Sequence, residues 1–157
     1  MTNERLRIVV GTPTPGTGSI SPLRRTAFAG YRWLLLIFLL LGGVQIFLAG
    51  FGVFSLDGKE VGAHGETAFG PHRSLGFALG GMALIVLLLA LVTRRSARSM
   101  LLTAVMFLLA FLGQSFLADL GGSNAFFGGL HALDGLAILA IAGYLYGWSR
   151  RHRCWPR

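Results

Sequence analysis

Two histidines lie inside apolar segments of the chain, and an imidazole can serve as a metal ligand or a proton carrier. His72 stands in "GPHRSLGFALGG" and His131 in "GGLHALDGLAILAIAGY", each with a glycine four residues later, Gly76 and Gly135. Polar groups inside a bilayer are costly and tend to mark function. Because haem iron commonly takes axial imidazoles, the pair predicts a bis-histidine haem b site in which the glycines leave room for the flat macrocycle.

Two charged side chains accompany the histidines. Arg73 follows His72, and an arginine near a helix end can extend to the headgroups, where it is placed to pair with a haem propionate, Glu66 or Asp119. Asp134 lies nearly one turn beyond His131 on a similar helix face. It is expected to accept a hydrogen bond from the second imidazole nitrogen of that histidine, or to take part in a proton relay.

Gln45 and Gln114 are the other polar side chains in the same part of the apolar segments. They have two interpretations: buried amides that hydrogen-bond between helices, or the lining of a cofactor pocket or quinone site. For His72 alone, an interfacial residue bonded to water or to a headgroup is the simpler interpretation. The sequence leaves these alternatives open.

The composition places these residues in a membrane protein. Of the 157 residues 54% are hydrophobic and only 13% are charged, unlike a soluble domain. Four runs approach the roughly 20 apolar residues that a bilayer requires: about 31–54, 71–93, 100–118 and 126–148. Pro71 suits the first turn of a helix, so His72 is expected at the mouth of the second span.

The arginines set the expected orientation, because cytoplasmic flanks collect Lys and Arg. They precede the first span, join the second to the third and follow the fourth. We therefore expect an all-α, up-down-up-down four-helix bundle of the inner (plasma) membrane, with both termini inside. Residues 1–30 are expected to be a disordered basic arm and 149–157 a basic tail. The net charge of +8 is explained by these flanks, so nucleic acid is not an expected partner.

Each span carries a stripe of small or polar residues at helical spacing, which predicts close packing around a common interior. Spans two and four occupy diagonal corners of such a bundle, so His72 and His131 are expected to point at each other across its core. No internal repeat is evident from the sequence.

Three motifs carry a resemblance to known families: "QIFLAGFGVF", "HRSLGFALG" and "LHALDGLAILAIAGY". Together they resemble an uncharacterised bacterial family of four-span membrane proteins, catalogued as domain of unknown function 6220, over about residues 31–148. A weaker similarity is to one four-helix half of the haem A synthases, whose Glu-x-x-His-Arg motif matches His72 and Arg73 and whose partner histidine matches His131. Phe69 stands at the glutamate position, so the resemblance implies haem binding but not haem hydroxylation.

Two functions follow as expectations. The first is a haem b protein for electron transfer or redox sensing, six-coordinate through the two histidines. The second is a cofactor-free accessory or assembly subunit of a larger membrane or respiratory complex. The lipid bilayer is the expected environment of both, and a homo-oligomer stays open. No soluble-enzyme motif is present, so no catalytic residue is assigned and an enzyme is the less favoured class.

Overall fold

The computed structural model describes residues 21–56, 61–93 and 96–151, and its regular structure in these ranges is entirely helical. The helices are α1 (Pro22–Leu56), α2 (Val61–Thr93), α3 (Ala97–Leu108), a π-helical turn (Leu109–Gly113), α4 (Gln114–Gly121) and α5 (Ala125–Arg151). α3, the π-helical turn and α4 form one continuous span, so four helices are long and apolar enough to cross a membrane. The all-α fold class is confirmed, and the helices are those of a multi-pass membrane protein.

Two helices begin more than two turns earlier than the apolar runs predict. α1 starts at Pro22, nine residues before the predicted span. Proline is pre-organised for the first helical position, and the Ser21 hydroxyl accepts from the Arg24 amide at 3.4 Å. α2 starts at Val61, so Pro71 lies inside the helix and the expectation that it opens the span is wrong. Membrane helices tolerate an internal proline because neighbouring groups satisfy the freed carbonyl.

The helices pack in a ring. α1 contacts α2 and α5, while the span of α3 and α4 contacts the same two helices. Among the described residues, α2 and α5 do not contact each other through their backbones, and neither do α1 and α3. Across the centre of the bundle, α2 therefore faces α5, and α1 faces α3.

The arginine-rich helix ends are joined by side-chain contacts. Arg24 near the start of α1 donates to the carbonyl of Thr93, the last residue of α2, at 3.0 Å. The guanidinium of Arg98, at the start of α3, lies 5.4 Å above the Tyr144 ring of α5. Such contacts suit arginines at a membrane surface. Most of the predicted basic arm (1–30) and of the predicted basic tail (149–157) lies outside the described residues, at 1–20 and 152–157.

The hydrophobic core lies in the half of the bundle nearer these arginines. Its side chains recur every three or four residues, as one helix face requires: Tyr31, Leu35, Phe38, Leu79, Ala83, Val86, Ala90, Met106, Ile138, Ala142 and Leu145. A hydroxyl pair, Tyr31 Oη and Thr103 Oγ1 at 3.2 Å, is buried within it. Large apolar side chains such as Phe54, Phe77 and Phe116 are exposed, as they are in helices that face lipid.

Candidate functional site

His72 on α2 and His131 on α5 meet in the interior of the bundle. Their ring centroids are 6.2 Å apart and their planes are inclined by 64°. Because these two helices make no backbone contact with each other, the imidazoles bridge the space between them. Both side chains are half-buried.

A glutamine on the neighbouring helix holds each histidine by two hydrogen bonds. In the first pair, His72 Nδ1 lies 3.1 Å from the main-chain oxygen of Gln45, and Gln45 Nε2 donates to the main-chain oxygen of His72 at 2.8 Å. In the second pair, His131 Nδ1 lies 3.1 Å from the oxygen of Gln114, and Gln114 Nε2 donates to the oxygen of His131 at 2.9 Å. The glutamines therefore do hydrogen-bond between helices, as one interpretation of the sequence expected.

The two Gln–His pairs belong to an internal repeat that the sequence analysis missed. His72 and His131 are 59 positions apart, and so are Gly76 and Gly135. The same separation relates the buried residues further along α2 and α5: Leu79 and Ile138, Ala83 and Ala142, Val86 and Leu145, Ala90 and Ser149. The motif His-x-x-x-Gly, present once in each helix, was the sequence signal of the repeat.

The π-helical turn accommodates one additional residue in the second copy of the repeat. Before the turn, the buried faces of α1 and α3 match at a separation of 68 positions: Tyr31 and Ser99, Leu35 and Thr103, Phe38 and Met106. After it, Gln45 and Gln114 match at 69 positions. A π-turn is a one-residue insertion in an α-helix, so Leu109–Gly113 keeps Gln114 facing His131.

The glycines of the His-x-x-x-Gly motifs lie against the glutamine amides. A Cβ at Gly76 would be 3.2 Å from Gln45 Nε2, and one at Gly135 would be 3.8 Å from Gln114 Nε2. The sequence analysis expected the macrocycle to fit beside these two glycines. In both copies of the repeat, that space borders the Gln–His hydrogen bonds. Gln45 Oε1 is buried and accepts no hydrogen bond from any residue that the structure describes.

The charged neighbours of the histidines differ from the predictions. Asp134 does not accept from His131, whose Nδ1 faces the Gln114 carbonyl instead; its Oδ2 accepts from Gln114 Nε2 at 2.8 Å. The prediction of a direct imidazole–carboxylate bond is wrong because the main-chain oxygen occupies that side of the ring. Arg73 is exposed and, within the described residues, forms no ion pair with Glu66 or Asp119.

The hydrogen bonds fix the tautomer of both imidazoles. A carbonyl oxygen can only accept, so each Nδ1 carries a hydrogen, and in the neutral ring Nε2 then holds the lone pair. This is the form in which histidine binds metals, with the other nitrogen held by a main-chain carbonyl. His72 Nε2 has one polar neighbour, Gln45 Nε2, at 3.4 Å.

The separation of the two imidazoles is compatible with a metal that brings its remaining ligands with it. Metal–nitrogen bonds of about 2 Å, with about 1 Å more to each ring centre, give a centroid separation of about 6 Å for two imidazoles on one ion. The observed separation is 6.2 Å. Among the described residues no group of three or more His, Cys, Asp or Glu side chains could hold a metal ion. Haem iron, which takes most of its ligands from the macrocycle, is compatible with this donor set.

The fold and the site define an all-helical, multi-pass membrane protein with two half-buried Gln–His pairs. No family model matches the chain, and no curated protein or solved structure matches it either. The resemblances to the four-span family and to the haem A synthases therefore stay predictions.

Proposed function

We propose that this protein binds one haem b between His72 and His131 and serves in electron transfer or redox sensing at the plasma membrane. The observation that carries the proposal is the meeting of two imidazoles from opposite helices, 6.2 Å apart. The hydrogen bond at Nδ1 leaves Nε2 of each ring with its lone pair. Bound haem would supply one-electron exchange at this position.

The side chains around the imidazoles have separate tasks in this proposal. His72 and His131 would hold the iron, and the main-chain oxygens of Gln45 and Gln114 orient the two rings. Because both imidazoles would then be engaged by the cofactor, the site would offer no place for a substrate, which favours electron transfer over catalysis. Arg73 is exposed near the site and is free to meet an anionic group such as a propionate.

We further propose an up-down-up-down bundle with the arginine-rich end in the cytoplasm. The contacts of Arg24 with Thr93 and of Arg98 with Tyr144 support this topology, because each joins the start of one helix to the last turns of another. Cytoplasmic flanks collect arginine, so the histidine pair belongs to the outer half of the membrane. Attachment to a larger respiratory complex is compatible with the apolar outer surface.

A second candidate function is a cofactor-free accessory subunit. The specific observation in its favour is that the glutamine and the histidine of each pair already hydrogen-bond to each other between helices. Gln45 Nε2 also lies 3.4 Å from His72 Nε2, the atom that the iron requires. In this alternative the histidines are interhelical contacts, each hydrogen bond contributing about 1 kcal/mol or less.

The test is an absorption spectrum of the detergent-purified protein, oxidised and then reduced with dithionite, with pyridine haemochrome quantification. We expect low-spin bands from one haem b per chain. His72→Ala and His131→Ala should lose the Soret band, whereas His64→Ala, which changes an exposed histidine on the same helix, should keep it. If an alanine variant does not fold, His131→Met keeps an iron ligand and should raise the reduction potential.

Two results would contradict the haem proposal. One is a colourless protein after expression with ample haem. The other is a Soret band of equal intensity in the wild type and in both alanine variants. A colourless protein favours the accessory subunit, whose partner complex would then be sought by gentle solubilisation. A retained Soret band removes the assignment of His72 and His131 as the iron ligands.

A further inference from the structure

Asp134 belongs to the histidine site in only one copy of the repeat. Its equivalent in the first copy, 59 positions earlier, is Leu75, which packs against the hydrophobic core. The carboxyl group therefore does not serve the helix packing that both copies share. An ionisable residue within a membrane span calls for a functional explanation.

The carboxyl group is joined to the histidine site through a single amide. Gln114 Nε2 donates both to Asp134 Oδ2 at 2.8 Å and to the main-chain oxygen of His131 at 2.9 Å. Gly113 in the π-helical turn leaves space for this carboxyl group, since a Cβ there would lie 3.2 Å from Asp134 Oδ2. π-turns are often found at functional sites.

Within the described residues no cation forms an ion pair with the Asp134 carboxyl group. The titratable groups of the histidine site are His131 on α5 itself and His72 on α2. Those at the arginine-rich end of the bundle are Arg98 on α3 and Tyr144, Tyr146, Arg150 and Arg151 on α5. Asp119 on α4 is exposed, as are His64, Glu66 and Arg73 near the start of α2; α1 beyond Arg32 and the π-helical turn contribute none.

We propose that Asp134 is the proton-exchange group that compensates the charge of the histidine site, an inference that rests on the proposed haem function. When a one-electron donor reduces the site, the site gains one negative charge. One proton then leaves bulk water and forms an O–H bond on the carboxylate of Asp134, so the total charge is unchanged. On oxidation the proton returns to water, and no other bond forms or breaks.

The first test measures the midpoint potential of the haem-loaded protein against pH. For one proton per electron we expect a slope of about 59 mV per pH unit. Asp134→Asn and Asp134→Leu, the latter installing the residue of the first copy, should flatten the slope. Asp119→Asn is the matched control, because it removes an exposed carboxyl group on the neighbouring helix and should leave the slope unchanged. A slope that persists in Asp134→Asn overturns the inference.

The second test does not require haem. A hydrophobic carbodiimide adds to a protonated carboxyl group in the membrane, and the product rearranges to a stable N-acylurea without a leaving group. Mass spectrometry of protein treated over a series of pH values should find an adduct at Asp134 whose yield rises as the pH falls, and none at Asp119 or Glu66. Absence of the Asp134 adduct at every pH overturns the inference even if the protein is colourless, whereas pH-dependent labelling of a colourless protein contradicts only the haem function.

Discussion

The two glycines of the His-x-x-x-Gly motifs give a matched pair of substitutions with different expected outcomes. In Gly76→Ala the new Cβ lies 3.2 Å from Gln45 Nε2, closer than ordinary contact, so the amide must move away from its 2.8 Å bond to the His72 oxygen. Overpacking of this kind costs about 1–3 kcal/mol, against a gain of up to about 1 kcal/mol in helix propensity. In Gly135→Ala the contact of 3.8 Å is ordinary, so only the gain applies.

Gly76→Ala should therefore be less stable than Gly135→Ala by about 2 kcal/mol, or roughly thirty-fold in the unfolding equilibrium. The measurement is reversible unfolding in mixed micelles, followed by circular dichroism, on the haem-free protein. Equal destabilisation of the two variants would refute the reasoning, because the repeat places both alanines at the same helix position. Equal loss of haem absorbance from two stable variants would instead show that the glycines make room for the macrocycle, as the sequence analysis expected.

Two further predictions concern the packing of the helices and the π-helical turn. Gly42→Ala should destabilise the protein by about 1–3 kcal/mol, because the Cβ would clash with Leu139 of α5. Gly43→Ala should instead stabilise it by up to about 1 kcal/mol through helix propensity, since nothing lies within 4 Å; the same unfolding assay compares them. Deletion of the exposed Leu112 should convert the π-turn to a regular α-helix and keep the protein folded, as circular dichroism and gel filtration would report, because α1 lacks this extra residue. The corresponding deletion of the exposed Leu40 in α1 should prevent folding, since it rotates one buried face by about 100°; equal tolerance of both deletions would contradict the repeat.

The helices and their lipid-facing surfaces could be predicted from the sequence, because a span needs only a long apolar run. The error at Pro71 has a physical cause: a rule for the first turn of soluble helices was applied to a membrane helix, where an internal proline is tolerated. The turn at Leu109–Gly113 was also missed, because none of its residues distinguishes a π-turn from an α-turn.

Part of the candidate site could be predicted as well. His72, His131, Gln45 and Gln114 were selected because they are polar residues in apolar segments, and the structure brings each histidine to a glutamine. The acceptors of the imidazole hydrogens could not be predicted, since they are main-chain oxygens that every residue has. Their position depends on the rotation of one helix against its neighbour, which local sequence does not determine.

The repeat has a consequence for the orientation of the two halves of the chain. Each copy consists of two spans, and an even number of spans lets both copies enter the membrane in the same orientation, as in the parallel repeats of transporters. Such halves are related by an axis along the membrane normal, and the two imidazoles meet beside that axis. Asp134 and Leu75 occupy equivalent positions on either side of it, so the carboxyl group makes the histidine site asymmetric.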